Sequence, residues 1–417
     1  MKVLVLGAGI VGVTTAYELA RDGHDVTVLD RCEGPALETS HANGGQLSWS
    51  NAAPLAGPGV VRKALSWLGK HDAPLLYRLR LDPQLWSWTL KFLSNCSGPT
   101  HWRNAERMLR VALYARERLH EILKSEDITY DRQCGGILEL YQNAPDHGQE
   151  CDDIQAWKEL GSMRQGLDRK ACIELEPALA HSTFNIAGGI HAPSDESGDC
   201  YAFTCQLATR AAELGVTFKW NTTVKGLARE GDTITHAITD AGDVHADLFI
   251  MALGSYSPRV MQGLDLKLPI YPAKGYSVTV PIIDDALAPN VSLTSVEHKL
   301  VISRFGDTLR VAGMMDLTGY DLGIHDARAR LTLSNAMKLF PQALDPDQAT
   351  FWTGLRPQTP DSVPIIGRAK QQNLILNTGH GMLGWTMATG TARMVADLAN
   401  AKSPDIDMDG LSWERFA

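Results

Sequence analysis

Residues 2–30 read KVLVLGAGIVGVTTAYELARDGHDVTVLD, and this stretch decides the fold. The apolar run Val3, Leu4, Val5 and Leu6 has the length of a buried strand. It breaks at Gly7-Ala8-Gly9-Ile10-Val11-Gly12, continues at helical spacing through Tyr17 and Leu19, and returns as Val26, Val28 and Leu29 before Asp30. Strand, glycine turn, helix and strand in that order make a βαβ unit. Gly7 permits the tight turn, Gly9 lets backbone N–H groups approach a pyrophosphate, and Gly12 allows close contact between helix and strand. The unpaired N–H groups and dipole at the helix N-terminus favour the anion. Asp30 would accept hydrogen bonds from a ribose 2′-OH and repel a 2′-phosphate, which disfavours NADP. The unit alone leaves NAD and FAD open.

Around this unit, 417 residues are enough for two domains or one elaborated pair. A net charge of −9 gives no basic footprint for nucleic acid. The seven cysteines are scattered, with no CxxC pair, so no metal or iron–sulfur site is expected, and the odd count suits a reducing cytosol. The first strand begins at Lys2 and leaves no room for a signal peptide, which points to the cytoplasm. The uncharged stretch 42–61 is long enough to span a bilayer but is rich in Gly, Pro, Asn and Ser, so it reads as a loop.

Downstream of Asp30, residues 38–46 (ETSHANGGQ) place small and hydroxyl side chains before two glycines. That composition suits backbone passing close to a flat or anionic ligand, although an ordinary surface loop has it too. The Pro/Gly-rich residues 48–61 read as a long binding loop. Residues 60–70 and 83–95 read as helices carrying Trp67, Trp86 and Trp88. In the second, Leu85, Trp88 and Phe92 form one stripe and Trp86, Leu90 and Leu93 another. A helix apolar almost all round belongs in a core or subunit interface, or rests on a bilayer surface. Residues 104–125 read as an amphipathic scaffold helix.

A buried strand at 246–251 leads into the turn at Gly254, a second place where a parallel sheet could present backbone to a nucleotide. The pattern then alternates, as antiparallel strands do, through 271–280, 299–305 and 309–316. The expected fold class is therefore α/β, a Rossmann-type dinucleotide domain with a second domain on a mixed, largely antiparallel sheet plus helices. Towards the end, TGLRPQTPD (353–361) precedes a strand at 374–377, the turn Gly379-His380-Gly381 and a helix from about Leu383 to Ala399. The helix N-terminus there would favour an anionic ring or phosphate.

Taken together, GAGIVGV, PALETSHANGGQ, NAAPLAGPG, SGDC, ALGSYS, YPAKGYS, FWTGLRPQTPD and NTGHGMLGWTMA resemble the FAD-dependent D-amino-acid oxidase and glycine oxidase superfamily, and most closely the bacterial D-amino-acid dehydrogenase small subunits. The resemblance covers nearly the whole chain. It implies FAD, with Gly7, Gly9, Ile10, Val11 and Gly12 at the pyrophosphate and Asp30 and Arg31 at the adenosine. It places Thr39, Ser40, Asn43, Gly44 and Gly254 along the cofactor, Val224 at adenine, and Gly379, His380, Gly381 and Met382 beside the flavin O2 edge. Arg356 matches the arginine that pairs with a substrate carboxylate, with Tyr276 next in the pocket and Tyr271, Arg304 and Tyr320 as weaker members. The implied division is residues 1–50, 194–266 and 350–417 for the FAD-binding domain, and 51–193 and 267–349 for the substrate domain.

The implied reaction is oxidative deamination of D-amino acids by hydride transfer from Cα to flavin N5, giving a 2-oxo acid and ammonia. Electrons would pass to a quinone or another non-oxygen acceptor, with a peripheral contact on the inner face of the cell membrane. The same fold also serves a cyclic or N-substituted amino acid of the D-hydroxyproline or sarcosine type, and a flavin-bearing relay subunit is a third reading. His41 departs from the pattern, in which a small or aromatic apolar residue stands between the serine and Ala-Asn. Related dehydrogenases attach FAD covalently to a histidine in a comparable loop, so a covalent link at His41 is carried as an expectation. A cysteinyl flavin is excluded, since no cysteine follows Cys205.

Overall fold

A computed structural model describes residues 1–67, 73–77 and 80–417, without the side chains of 65–67. The opening stretch forms the strand Lys2–Leu6, the helix Ile10–Arg21 and the strand Asp25–Leu29. These two strands run parallel, with Val5 opposite Val28. They sit within a six-stranded sheet ordered Ile365–Arg368, Leu374–Thr378, Leu248–Met251, Lys2–Leu6, Asp25–Leu29 and Thr217–Lys219. Only the edge strand Ile365–Arg368 is antiparallel. A parallel sheet covered on both faces needs continuous apolar strands, and the first strand supplies one. Val3 and Val5 pack against helices on one face, while Leu4 and Leu6 join Phe249, Met251 and Ile365 on the other.

The helical face carries Ile10–Arg21, Gly98–Ser125, Cys200–Glu213 and Gly384–Ala399. The helix expected from residue 104 starts six residues earlier, with Pro99 in its first turn, where the missing N–H costs nothing. It crosses the last helix closely: a Cβ on Gly390 would lie 2.9 Å from the Cα of Ala115. Thr389 Oγ1 donates to the Ala115 carbonyl at 2.7 Å beside that crossing. The opposite face holds a hairpin sheet of Val224–Glu230, Thr233–Thr239 and Gly242–Val244.

The second sheet is mixed and mostly antiparallel. Its order is Thr350–Gln358, Tyr271–Pro281, Thr308–Leu317, Leu300–Phe305, Ser292–Ser295, Ile137–Tyr141, Gly188–Ala192 and Gln165–Asp168, with Leu75–Tyr77 beside Thr308–Leu317. Side chains alternate across it. Leu138, Leu293, Ile302, Val311 and Val278 face the helix Asp326–Leu339, whose Leu333, Ala336 and Leu339 complete that core. Their neighbours Glu139, Thr294, Val301 and Ala312 face the other way, into a cavity.

Two expected boundaries differ from this architecture. The strand Thr350–Gln358 pairs with Tyr271–Pro281 along its length, so a division at residue 350 runs through the larger sheet. The helix Gly98–Ser125, placed by sequence in the substrate unit, buries Met108, Leu109, Val111 and Ala112 with the parallel-sheet core. The expected helix 60–70 is observed as Val60–Trp67, and residues 68–70 and the Trp67 side chain lie outside the described residues.

The helix Pro83–Ser94 is capped by the Asp82 carboxylate, which accepts from the N–H groups of Gln84 and Leu85 at 3.1 Å. Leu85 and Trp88 are buried, whereas Trp86, Leu90 and Leu93 are 43%, 69% and 44% exposed. One stripe is therefore core and the other faces solvent. Among the described residues no helix is long and apolar enough to cross a membrane.

Replacing Gly390 with valine should lower stability by about 2 kcal/mol, since the two helix backbones must separate to admit the branched side chain. Urea denaturation of both proteins measures it, and an unchanged midpoint would show that the crossing yields without cost.

Candidate functional site

A cavity of about 1180 Å³ lies between the two sheets. Its first wall gathers residues that follow parallel strands, namely Gly7 and Gly9, Asp30, and Ala252 to Gly254. Ligands of open α/β sheets sit outside such strand ends. The turn is built for close approach. Gly7 has φ +106°, and a Cβ there would lie 2.7 Å from the Ala252 carbonyl oxygen. A Cβ on Gly12 would lie 1.9 Å from the Gly7 oxygen. No side chain of Gly9 caps the helix; instead Ser40 Oγ accepts from the Ile10 N–H at 3.0 Å. Asp30 lines the cavity while its carboxylate accepts from Ala8 N at 2.7 Å and Cys32 N at 2.9 Å. A carboxylate has roughly four acceptor positions, so it retains capacity for a ribose hydroxyl.

The loop after Asp30 joins both walls. Thr39 Oγ1 donates to the Leu355 carbonyl at 2.9 Å, and Ser255 Oγ donates to the same oxygen at 3.0 Å. Asn43 Oδ1 accepts from Gly45 N, and Gly44 lies so close to the second sheet that a Cβ would meet Val301 at 2.8 Å. His41 is not among the lining residues, although Ser40 and Ala42 on either side of it are. Its ring meets Tyr201 edge-on at 4.8 Å and lies 6.2 Å from that of Trp352, which lines the cavity.

At the far end of the first wall, Gly379 and Gly381 adopt φ +77° and +55°, and His380, Gly381 and Met382 line the cavity. His380 is buried, with Nε2 3.2 Å from Thr391 Oγ1, and loss of hydration pushes its pKa down to about 3. It is therefore neutral near pH 7. Val224, Arg31 and Gly379 are not among the lining residues. Arg31 lies 3.9 Å from the Tyr256 ring centre and pairs with Glu38, so it braces two residues that do line the cavity.

The second wall presents Gly275, Gly354, Ala312, Gly313 and Val301; the Trp352 ring lies over Gly354, where a Cβ would be 2.0 Å from it, and Arg356 rises at one side. Its strand neighbour across the sheet is Ala273, and its guanidinium lies over Gly275, where a Cβ would be 2.2 Å from Nη1. Nη1 donates to the Met314 carbonyl at 3.0 Å. Met314 has φ +57° at an irregularity in the pairing of Tyr271–Pro281 with Thr308–Leu317, which aims its oxygen at Arg356. Loss of hydration holds the Arg356 pKa down at about 10, against the opposing charge of Asp316, so the cation persists at neutral pH. Among the described residues no carboxylate forms a salt bridge with it.

Of the other expected pocket members, Tyr276 lines the cavity, whereas Tyr271, Arg304 and Tyr320 are not among the lining residues. Tyr276 shares the face of Val278; its hydroxyl donates to Asp316 at 2.8 Å, and its ring packs with Ala329 of the helix behind the sheet. Asp316 is held in turn by Arg328 at 2.7 Å. Tyr276 thus lines the cavity with its hydroxyl already engaged. Tyr271 donates to Asp82 at 2.8 Å and anchors the helix Pro83–Ser94. Arg304 alternates to the face of Ile302 and pairs with Asp285 at the surface. Tyr320 donates to the Ser255 carbonyl at 2.9 Å beneath Arg259, nearer the nucleotide end than Arg356. The sequence reading missed Gly275, Gly354 and Met314. Alternating glycines in the two strands were a visible signal, whereas the left-handed Met314 was not.

A dinucleotide turn opening onto a cavity lined by an arginine that no carboxylate pairs among the described residues is the arrangement of a nucleotide-dependent enzyme. The chain belongs to the FAD dependent oxidoreductase family, whose model matches residues 2–398. The dinucleotide, left open by the first 30 residues, is FAD. The D-amino acid dehydrogenase of Paramagnetospirillum magneticum is 49% identical over 417 residues, covering 100% of this chain and 99% of that one. A protein of the same name from Rhizobium rhizogenes is 46% identical over 418 residues, covering 100% of both. Among solved structures, glycine oxidase from Geobacillus kaustophilus superposes with a TM-score of 0.75 at 22% identity, over 99% of this chain and 97% of that one. L-proline dehydrogenase from P. horikoshii gives 0.75 at 20%, over 100% and 97%. At such identities the two structures show the fold alone.

Gly12→Ala should leave a folded protein with only a small fraction of the co-purified FAD, read as flavin absorbance per chain; full occupancy would place the cofactor elsewhere. Because the folded pKa of His380 lies below its unfolded value of about 6.5, the unfolded state binds the extra proton and stability falls with pH. Between pH 7 and 5 this site should cost about 2 kcal/mol, a loss that His380→Asn removes in denaturation curves.

Proposed function

We propose that the protein oxidatively deaminates D-amino acids to 2-oxo acids and ammonia. The observation that carries this reading is Arg356, a cation facing the cavity with no carboxylate paired to it among the described residues. The relatives named D-amino acid dehydrogenase match end to end, which supports the choice of reaction. FAD, when bound, accepts the hydride that leaves the substrate Cα. The turn at Gly7, Gly9 and Gly12 with Ser40 would hold the pyrophosphate, Asp30 the ribose, and His380 to Met382 the ring edge.

The remaining work falls to position and electrostatics. Arg356 keeps four of its five N–H donors beyond the bond to Met314, enough to grip a carboxylate and fix one Cα–H direction. Met314 restrains the guanidinium plane over Gly275, and the Trp352 ring covers Gly354 beside it. With Tyr276 committed to Asp316, no tyrosine base is offered at this point, and a substrate bound with a neutral amine needs none. Neutral His380 adds no competing positive charge.

The acceptor is read as a quinone or electron-transfer partner reached at a membrane surface. Support comes from the exposed Trp86, Leu90 and Leu93, and from residues 60–110, which hold nine Lys and Arg against three Asp and Glu in a chain of net charge −9. An apolar stripe within a basic region suits an anionic lipid surface.

Arg356→Ala should raise KM for a D-amino acid about 100-fold, the loss of two charge-assisted hydrogen bonds, while bound FAD stays constant; an unchanged KM refutes the assignment. Anaerobic bleaching of the flavin by D-alanine, but not by hydroxy-D-proline, sarcosine or L-alanine, checks the reaction and dismisses both the cyclic-substrate and relay-subunit readings. Trp86→Ser with Leu90→Ser should abolish flotation with anionic liposomes; equal flotation would remove that helix from the contact.

A further inference from the structure

Two residues beyond Arg356, the strand Thr350–Gln358 changes neighbours. Gln358 pairs with Tyr271 of the larger sheet on one side and bridges to His380 on the other. At the same place the Pro357 carbonyl accepts from Gly381 N at 3.0 Å, and a Cβ on Gly381 would lie 2.7 Å from Gln358 Oε1. This strand end therefore sets how Arg356 stands relative to the turn Gly379 to Gly381. The next five residues, 359–363, form a buried turn whose polar groups are all spoken for at its centre. Thr359 Oγ1 donates to the Val363 carbonyl at 3.0 Å, Val363 N donates to Asp361 Oδ1 at 3.2 Å, and Gln358 Nε2 donates to Ser362 Oγ at 3.0 Å. Ser362 Oγ also accepts from Leu55 N at 2.9 Å, which ties in the loop 48–61 on the cavity wall.

Asp361 is buried within this turn, and the cation that meets it comes from the last residues of the sequence. Arg415, in the short helical turn Trp413–Phe416, donates from Nε to Asp361 Oδ2 at 2.7 Å and from Nη2 to Oδ1 at 3.3 Å. Nη2 also donates to the Val363 carbonyl at 2.6 Å, and Nη1 to the carbonyls of Leu411 and Ser412 at 3.0 and 2.9 Å. All five N–H donors of the guanidinium are thus used, a fork that a lysine could not reproduce. The segment that carries it is itself fixed. Leu411 is buried in the parallel-sheet core, its carbonyl accepts from Ile366 N at 2.9 Å, and Trp413 Nε1 donates to the Arg368 carbonyl at 3.1 Å.

We infer that Arg415 is a positioning residue for the carboxylate clamp: by taking both oxygens of Asp361 it fixes the turn 359–363, and through Gln358 and Pro357 the placement of Arg356 against the turn Gly379 to Gly381. The inference rests on the reading of Arg356 as that clamp. Without Arg415, a buried carboxylate is left uncompensated. Asp361 would be drawn towards water and would pull with it the bonds to Val363 and Ser362. The larger sheet still holds Arg356 through Ala273, so the loss falls on its alignment with the opposite wall. Displacements well under an ångström are costly for a reaction that depends on alignment.

The test uses the FAD-loaded protein. Acetate is titrated while the flavin absorbance is followed, which reads the clamp without turnover, and flavin reduction by D-alanine is then timed anaerobically. Arg415→Met should bind acetate about tenfold more weakly and be reduced at saturating D-alanine about tenfold more slowly, with FAD per chain unchanged. Arg415→Lys, which restores the charge without the fork, should fall between the two proteins. In an Asp361→Asn background, Arg415→Met should cost no more than about twofold, because no charge is left to strand. Equal losses in both backgrounds, or unaltered acetate binding and reduction in folded Arg415→Met, overturn the inference. If Arg415→Met does not fold, Arg415→Lys carries the same comparison, and unaltered values there overturn it. Acetate binding indifferent to Arg356→Ala overturns the clamp and this inference with it. Absence of reduction by D-alanine, with the acetate losses intact in both Arg356→Ala and Arg415→Met, overturns the proposed reaction and leaves the positioning role standing.

Discussion

The first helix lies against the turn that precedes it with no room for one further carbon atom: a Cβ on Gly12 would come within 1.9 Å of the Gly7 oxygen. Everything on the nucleotide side follows from that contact. It sets the angle at which Ile10–Arg21 leaves the sheet, and so the direction of its N-terminus and the place where Ser40 can meet the Ile10 N–H. It also lets the Ala252 carbonyl press on Gly7, which brings the neighbouring parallel strand into the same wall. A single side chain at either glycine would open the turn and separate the loops converging on it.

The opposite wall answers a different requirement, a charge kept available. A guanidinium in a protein cavity is ordinarily neutralised by a carboxylate, and one exists close by in Asp316. That carboxylate is engaged behind the sheet by Tyr276 and Arg328, both its partners buried. Breaking such a pair would strand an uncompensated charge, so the arrangement holds Asp316 away while its field still favours the protonated Arg356. Tyr276 matters to the site in this indirect sense.

Much of this was legible in the sequence because it rests on local constraints. The βαβ unit follows from apolar runs and three glycines, the antiparallel strands from alternation in residues 271–280 and 309–316, and the second glycine turn from Gly379 and Gly381. What escaped depends on pairings between distant segments. The face to which Tyr276 points is fixed by the register of its strand against Thr308–Leu317, and that register slips where Met314 turns left-handed. Arg304 reads as well placed at a strand end, yet one step of alternation sends it to the surface. The strand at 350–358 falls near the nucleotide domain in sequence and hydrogen-bonds to the other sheet. The choice between two dinucleotides was likewise beyond the opening stretch, whose turn serves both.

One oxygen atom ties the two walls together. The Leu355 carbonyl, next to Arg356, accepts from Thr39 of the loop beside the cofactor turn and from Ser255 at the end of a parallel strand. A cofactor that fixes Thr39 thereby fixes the oxygen next to Arg356, so any coupling between the two ligands carried by this contact is equal in both directions.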